Sequence, residues 1–288
     1  MRAALFPGQG IPAAQVLEGL PDEDRYVQTA DEVLGYPLRQ RVQTAVQTGS
    51  KLTTVLAQPA IYVASMVAYR RATEEGAPFD FLAGHSLGEF GALTGGEAFT
   101  FKRGLSLVKA RAAAMEKAAR AHPGGMAAII GLGRDKVEEL ATRSGLEVAN
   151  DNAPGQLVVS GSDEGLAAAA GMVTAEGGRI VRLEVSGPFH TSAMDGAAEE
   201  LKVALEATDV RSPKLPVLSN LTASPYRAPG EIRQLLTQQV NNPIRWRSCI
   251  EWLWENGARE FVDVGPGRVV DGLARRTLKG LEVAVARN

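Results

Sequence analysis

Cysteine is almost absent from this sequence, Cys249 being the only one in 288 residues. An intramolecular disulfide is therefore excluded, and a reducing cytoplasm is the expected compartment. Cys249 lies among Trp246, Ile250 and Trp252, so its thiol reads as packed and not nucleophilic. Histidine is scarce too, with His85, His122 and His190 only, and nowhere do His, Cys and carboxylates cluster at ligand spacing. No metal centre is expected from such a pattern. GxGxxG and Walker spellings are missing, which leaves nucleotide binding without support. No window approaches the roughly 20 apolar residues of a membrane helix. The short apolar start is cut off at Pro7, too early for a signal peptide. Charge of either sign is not in excess: 31 Lys+Arg against 33 Asp+Glu gives a net charge of −2. Bulk electrostatics thus argue for neither nucleic acid nor an anionic membrane as partner. Internal repeats and low-complexity tracts are absent.

What the chain does have is a sharp glycine signature after a short apolar run, Phe79-Asp-Phe-Leu-Ala-Gly-His-Ser-Leu-Gly-Glu-Phe90. Gly84, Ser86 and Gly88 spell GxSxG, the nucleophile elbow in which a strand turns into a helix and presents serine at the tip. Glycine is needed at both flanks because the turn packs backbone against backbone where a Cβ would clash. The unpaired N–H groups opening the next helix carry the positive end of its dipole and can hold a developing oxyanion. Ser86 is the candidate nucleophile. By spelling alone, an ordinary strand-to-helix turn is the other reading.

Around this stretch the chain alternates strand and helix. Residues 2–6 read as a buried strand, and Pro7-Gly8-Gln9-Gly10 forces a tight turn at its carboxyl end, where α/β sheets bind ligands. That turn is either a set of backbone donors or a plain loop. Helices are expected over 24–34, 38–47 and 55–75, the last with Pro59 near its first turn. Residues 101–121 form another, with Leu105, Val108, Ala112 and Met115 spaced three and four apart. Arg111 flanks that stripe. It reads as a snorkelling surface residue or as a cation turned into a cleft.

From Pro123-Gly124-Gly125 the texture changes. Strand 126–131, helix 135–143, strands 146–150 and 156–161, helix 163–176 and strand 179–185 give βαββαβ, the ferredoxin-like order. A compact unit inserted in a larger α/β domain is expected. Beyond it, His190 sits at a strand-to-helix junction just after Gly187 and Pro188. It is the histidine best placed to serve Ser86, although a cap for a helix over 190–208 is the other reading. The remaining segments read as strand 215–219, helices 231–239 and 244–256, a strand at Phe261–Val264 and a last strand over 281–286.

Phe6-Pro-Gly-Gln-Gly10, Gln58-Pro-Ala60, Gly84-His-Ser-Leu-Gly-Glu89, Arg111, Phe189-His190, Asn242-Pro-Ile-Arg-Trp246 and Val264-Gly-Pro-Gly267 follow one another in this order. In that combination the sequence resembles the malonyl-CoA:acyl-carrier-protein transacylases over nearly its whole length. The resemblance implies an α/β-hydrolase-like large domain, residues 1–123 and 188–288, with a ferredoxin-like subdomain at 124–187. It implies ping-pong acyl transfer through an ester on Ser86, with His190 as base. Backbone N–H groups of Gln9 and Leu87 would form the oxyanion hole. The backbone carbonyl of Gln239 would orient His190 in place of an aspartate, and Arg111 would hold the malonyl carboxylate. Phe189 matches a position where related polyketide acyltransferases carry phenylalanine for malonyl and serine for methylmalonyl. An acyl-CoA substrate, an acyl carrier protein as partner, no bound cofactor and a monomer complete the expectation. A discrete polyketide-pathway acyltransferase shares every motif, and a serine esterase or editing thioesterase would use the same elbow. A silent carrier-binding protein is disfavoured by Ser86, His190 and Arg111 all being in place. Arg245, Arg247, Arg268, Arg275, Arg276 and Lys279 form a basic cluster that reads as a carrier-docking patch or as solvated helix faces. One departure stands out: Ile11-Pro12-Ala13 follows Gly10 where the family continues with a polar Ser-Gln, and the region looks shortened.

Overall fold

A computed structural model describes residues 1–285, and in it the alternation of strand and helix sorts into two separate sheets. The strands are β1 (Arg2–Phe6), β2 (Phe81–Gly84), β3 (Gly125–Ile130), β4 (Glu147–Ala153), β5 (Gln156–Gly161), β6 (Arg179–Arg182), β7 (Val217–Leu218) and β8 (Glu260–Asp263). The helices are α1 (Ala13–Glu18), α2 (Arg25–Leu34), α3 (Leu38–Thr48), α4 (Thr54–Glu75), α5 (Gly88–Gly95) and α6 (Phe101–Ala121). They continue with α7 (Arg134–Arg143), α8 (Asp163–Ala175), α9 (Asp195–Glu206), α10 (Pro229–Gln239), α11 (Trp246–Glu255) and α12 (Val269–Val285).

The first sheet is parallel, in the order β7-β2-β1-β8. Ala3, Ala4, Leu5 and Phe6 are all fully buried, as a parallel strand covered on both faces requires. Its register decides where chemistry can occur. Phe6 is the Cα partner of Gly84, so the turn after β1 and the elbow after β2 leave the sheet side by side. The second sheet is antiparallel, in the order β4-β5-β3-β6. That is the arrangement of a ferredoxin-like unit, and the mixed α/β architecture expected from sequence is the one present.

A segment between α10 and α11 runs along one edge of the second sheet. After the Asn242-Pro243 stop, Ile244 runs extended beside β4, donating to Ala149 O at 2.9 Å and accepting from Asp151 N at 2.8 Å. Helix α6 is the long element against which the site is built. Thr100 caps it by accepting from Arg103 N, and Leu105, Val108, Ala112 and Met115 bury its inner face. Each large apolar side chain so buried contributes about 1.5–3 kcal/mol.

At the last two of the following four stretches the expectation is corrected. Helix α1 follows Pro12 directly, so the atypical segment after Gly10 leads into a short helix. Pro59 lies inside α4, within one residue of the expected position relative to the helix start; its missing N–H leaves the Val55 carbonyl without the usual helical donor. The helix expected from residue 190 begins only at Asp195, after a single 3₁₀ turn at Ser192–Met194. The strand expected over 281–286 is instead the end of α12, whose Val270, Leu273, Ala274 and Thr277 are buried at helical spacing; residue 286 lies outside the described residues.

Candidate active site

Gly84 ends β2, and Ser86 takes a left-handed backbone conformation, φ +52°, before α5 begins at Gly88. A Cβ on Gly84 would stand 1.9 Å from the Gly88 carbonyl carbon, and one on Gly88 would stand 2.1 Å from Phe6 O. Both obstacles are backbone and cannot swing away. Gly84→Ala is therefore expected to destabilise the fold by about 3 kcal/mol or more, read by urea denaturation. Gly171→Ala, a helical position with open space around it, serves as the control and is expected to be neutral or stabilising.

The strained elbow is braced from outside. Asn220, fully buried in the loop after β7, accepts from Ser86 N at 2.7 Å and donates through Nδ2 to Gly84 O at 2.7 Å. The Asn220 backbone N–H in turn donates to the Glu89 carboxylate, at 3.3 Å to each oxygen. Sequence reasoning missed Asn220. Its distance from the elbow in the chain gives no local signal.

Ser86 Oγ lies 2.8 Å from His190 Nε2. His190 Nδ1 lies 2.8 Å from the backbone carbonyl of Gln239, the last residue of α10. A carbonyl only accepts, so it fixes the proton on Nδ1 and leaves Nε2 as the acceptor for the serine hydroxyl. His190 itself sits in a left-handed turn at φ +61°, ahead of α9, and caps no helix. Burial, and then the positive charge of Arg111, push the imidazole down to about 3, so it is neutral throughout the neutral range.

Arg111 is fully buried and does not snorkel. Its Nη2 donates to Ser86 Oγ at 3.0 Å and to Gln239 Oε1 at 3.2 Å, and its Nη1 donates to Gln58 Oε1 at 2.8 Å. Its Nε has no acceptor among the described residues. Burial lowers the guanidinium to about 10, and Glu89 acts in the opposite direction, so the group remains a cation. Gln58 also donates to Gln9 Oε1 at 3.0 Å, tying α4 to the turn after β1. The backbone N–H groups of Gln9 and Leu87 have no acceptor among the described residues. Phe189 is buried beside His190 and lines the cleft.

Ser86 and His190 open onto a cavity of about 740 Å³ between the two sheets, lined also by Gln9, Ile11, Met115, Met126 and Phe189. His85 also touches it, yet its Nε2 is held 2.7 Å from Asn152 Oδ1 and its ring packs edge-on to Trp246. Cys249 is fully buried with its thiol pushed up by burial, remote from nucleophilic use. Of the basic cluster, Arg247 pairs with Glu251, Arg275 with Asp271, and Arg276 with Gln156. Among the described residues no group of His, Cys, Asp and Glu is arranged to hold a metal ion, and no helix is long and apolar enough to cross a membrane.

A serine on a strand-to-helix elbow, paired with a histidine and facing two free backbone donors, defines the class of proteins that carry out acyl transfer through a serine ester. The chain belongs to the acyl transferase domain family, whose model matches residues 7–287. It is 35% identical over 291 residues to a malonyl CoA-acyl carrier protein transacylase of Bacillus subtilis strain 168, covering 97% of this chain and 91% of that protein. It is 37% identical to a polyketide biosynthesis malonyl CoA-acyl carrier protein transacylase, PksC, of the same organism, covering 96% and 97%. A crystal structure of an acyl-carrier-protein S-malonyltransferase from Burkholderia pseudomallei 1710b superposes with a TM-score of 0.89 at 33% identity, covering 96% of this chain and 92% of that one.

Proposed function

We propose that this protein moves a malonyl group from coenzyme A to the phosphopantetheine thiol of an acyl carrier protein, by way of an ester on Ser86. The observation that carries the reading is Arg111: a buried cation with only neutral hydrogen-bond partners, its Nη2 3.0 Å from the candidate nucleophile. A guanidinium so placed matches an acyl chain that ends in a carboxylate a few bonds from the reacting carbonyl. The relatives' names point to the same substrate.

In this reading Ser86 Oγ attacks the thioester carbonyl while His190 Nε2 takes the hydroxyl proton. The Gln9 and Leu87 N–H groups hold the oxyanion, and the imidazolium returns its proton to the departing coenzyme A thiol. The second half repeats the steps with the carrier's thiol as attacker. The nucleophile, the base and the oxyanion donors of these steps all belong to the chain itself, and a cytoplasmic, monomeric enzyme goes with the reading. Gln239 serves twice, through its backbone carbonyl on His190 and through its side chain on Arg111. Phe189 limits branching at the α-carbon, where one methyl is worth about 1–3 kcal/mol of discrimination. Residues 1–123 and 188–288 form the catalytic unit and 124–187 the inserted one. The 37% identity to a polyketide relative supports a second reading in which the carrier belongs to a polyketide pathway.

Incubation with a panel of acyl-CoAs, read by intact mass, tests this. A malonyl adduct on Ser86 that disappears on adding a holo carrier protein is the expected result. Adducts that decay to free acid regardless of carrier would overturn transfer in favour of hydrolysis.

A further inference from the structure

We propose that Glu89 is the resident counter-charge of Arg111 and sets how strongly the site prefers a carboxylated acyl group. The proposal deepens the transferase reading and rests on it.

Arg111 and Glu89 are both fully buried, and the three side chains that accept from the guanidinium, those of Gln58, Ser86 and Gln239, are neutral. A buried cation without an anion nearby is costly. The anion is supplied at one remove. Gln239 Oε1 accepts from Arg111 at 3.2 Å while Gln239 Nε2 donates to Glu89 Oε2 at 2.6 Å, so a single amide joins the two charges without letting them touch. The guanidinium is balanced, yet among the described residues no carboxylate occupies its face.

Among the described residues, the groups that face Glu89 besides Arg111 are neutral. The Tyr226 hydroxyl, from the loop after β7, donates to it, and that phenol is raised well above its usual range. The Asn220 N–H donates to it as well. The Cys249 thiol on α11 is raised by burial and by Glu89 itself, and His190 is neutral. Of these groups Glu89 is the one poised to titrate near neutrality; Asp263, also raised to about 7 by burial, lies at the end of β8 with Asp271 and Arg268 as its charged neighbours. Burial pushes its carboxyl up to about 7 against the pull of Tyr226, Gln239, Asn220 and Arg111.

A malonyl carboxylate arriving on Arg111 places two anions around one cation. Glu89 relieves this by taking a proton from solvent. Acylation itself is proton-neutral, because the thioester C–S bond breaks, the Ser86 ester bond forms and the serine proton ends on the coenzyme A sulfur. Net uptake that malonyl produces, acetyl does not and Glu89→Gln abolishes therefore reports Glu89.

The test mixes enzyme with malonyl-CoA or acetyl-CoA near pH 7 in weak buffer with an indicator dye, normalised to acyl-Ser86 by intact mass. For the wild type the expected first-turnover result is uptake of up to about half a proton per malonyl site, because Glu89 at about 7 is already partly protonated, and none per acetyl site. Glu89→Gln is expected to show none with either, and to raise the malonyl-over-acetyl ratio of kcat/KM about tenfold by removing the competing anion. Equal uptake with both substrates, no uptake with malonyl, or an equal loss of kcat/KM for both in Glu89→Gln would overturn the proposal. Should Glu89→Gln fail to fold, the wild-type uptake decides. Arg111→Ala separates the two levels. Loss of malonyl selectivity there, without malonyl-specific uptake in the wild type, rejects Glu89 and keeps the transferase reading; equal losses for malonyl and acetyl reject the role of Arg111 beneath both.

Discussion

Ser86→Ala is expected to lower malonyl transfer by about 10⁴-fold or more while leaving the urea midpoint near that of the wild type. The expectation is large because the hydroxyl is the only attacking group at the junction of His190, Arg111 and the free N–H groups. The loss should be all in chemistry. Alanine removes one oxygen and keeps the Cβ, the backbone and the Asn220 brace on Ser86 N. His190→Ala acts through the proton only, so a smaller loss of about 10²–10⁴-fold is expected, and adding it to Ser86→Ala should cost little more. The same geometry sets the pH dependence. His190 is depressed from 6.5 to about 3, so its neutral, basic form persists as pH falls through 6.5. The sign for stability is the reverse of a paired histidine: the unfolded chain binds the proton first, and the His190 contribution to stability declines as pH drops from about 6.5 toward 3. An acid limb of Ser86 acylation centred near 6.5 and abolished by changing His190 would contradict this account.

Arg111→Ala is expected to lower kcat/KM for malonyl-CoA by about 100-fold and to leave acetyl-CoA within a few-fold of wild type. Losing one partner of a buried, hydrogen-bonded charge pair costs about 2–5 kcal/mol, and only malonyl has the charge to lose. Acetyl transfer gains something in return. Arg111 is one of the causes that depress His190, so removing the cation strengthens the base for substrates that cannot neutralise it. With malonyl the substrate carboxylate performs that neutralisation itself, and basicity rises only once the right acyl group is seated. A pinned carboxylate also fixes the ester against random approach by water, which favours a delivered thiol as acceptor. Parallel kinetics on the two thioesters decide the matter; equal losses for both would show that Arg111 merely supports the site.

Much of the architecture was legible because it is written in local patterns. The periodicity of Leu105, Val108, Ala112 and Met115 marks α6, and the glycines of the elbow mark a turn that no Cβ permits. The order of elements from β3 to β6 yields the second sheet. Errors arose where a local pattern has two solutions. Leu281-Glu-Val-Ala-Val alternates like a strand, but the burial of Val270, Leu273 and Ala274 upstream commits the segment to a helix. At Arg111, spacing along α6 could place the side chain at the edge of the buried face and no further; its burial depends on Gln58 of α4 and Gln239 of α10 supplying acceptors. Asn220, Tyr226 and Gln239 converge on Glu89 from 131 to 150 residues away in the chain. Such a cluster has no signature in any window of the sequence, because no two of its members lie on one turn of one helix.

Ser86 and His190 share one trait that neither the pairing nor the charges require: both hold a left-handed backbone in which side chains other than glycine are strained, by about 1 kcal/mol each. A chain selected for stability alone would place glycine at both positions. That it keeps serine and histidine there means the fold carries a standing deficit at the two points where bonds are made. Relatives relieved of the chemistry would be free to recover it, so glycine at either position would mark a sturdier protein that has given up transfer.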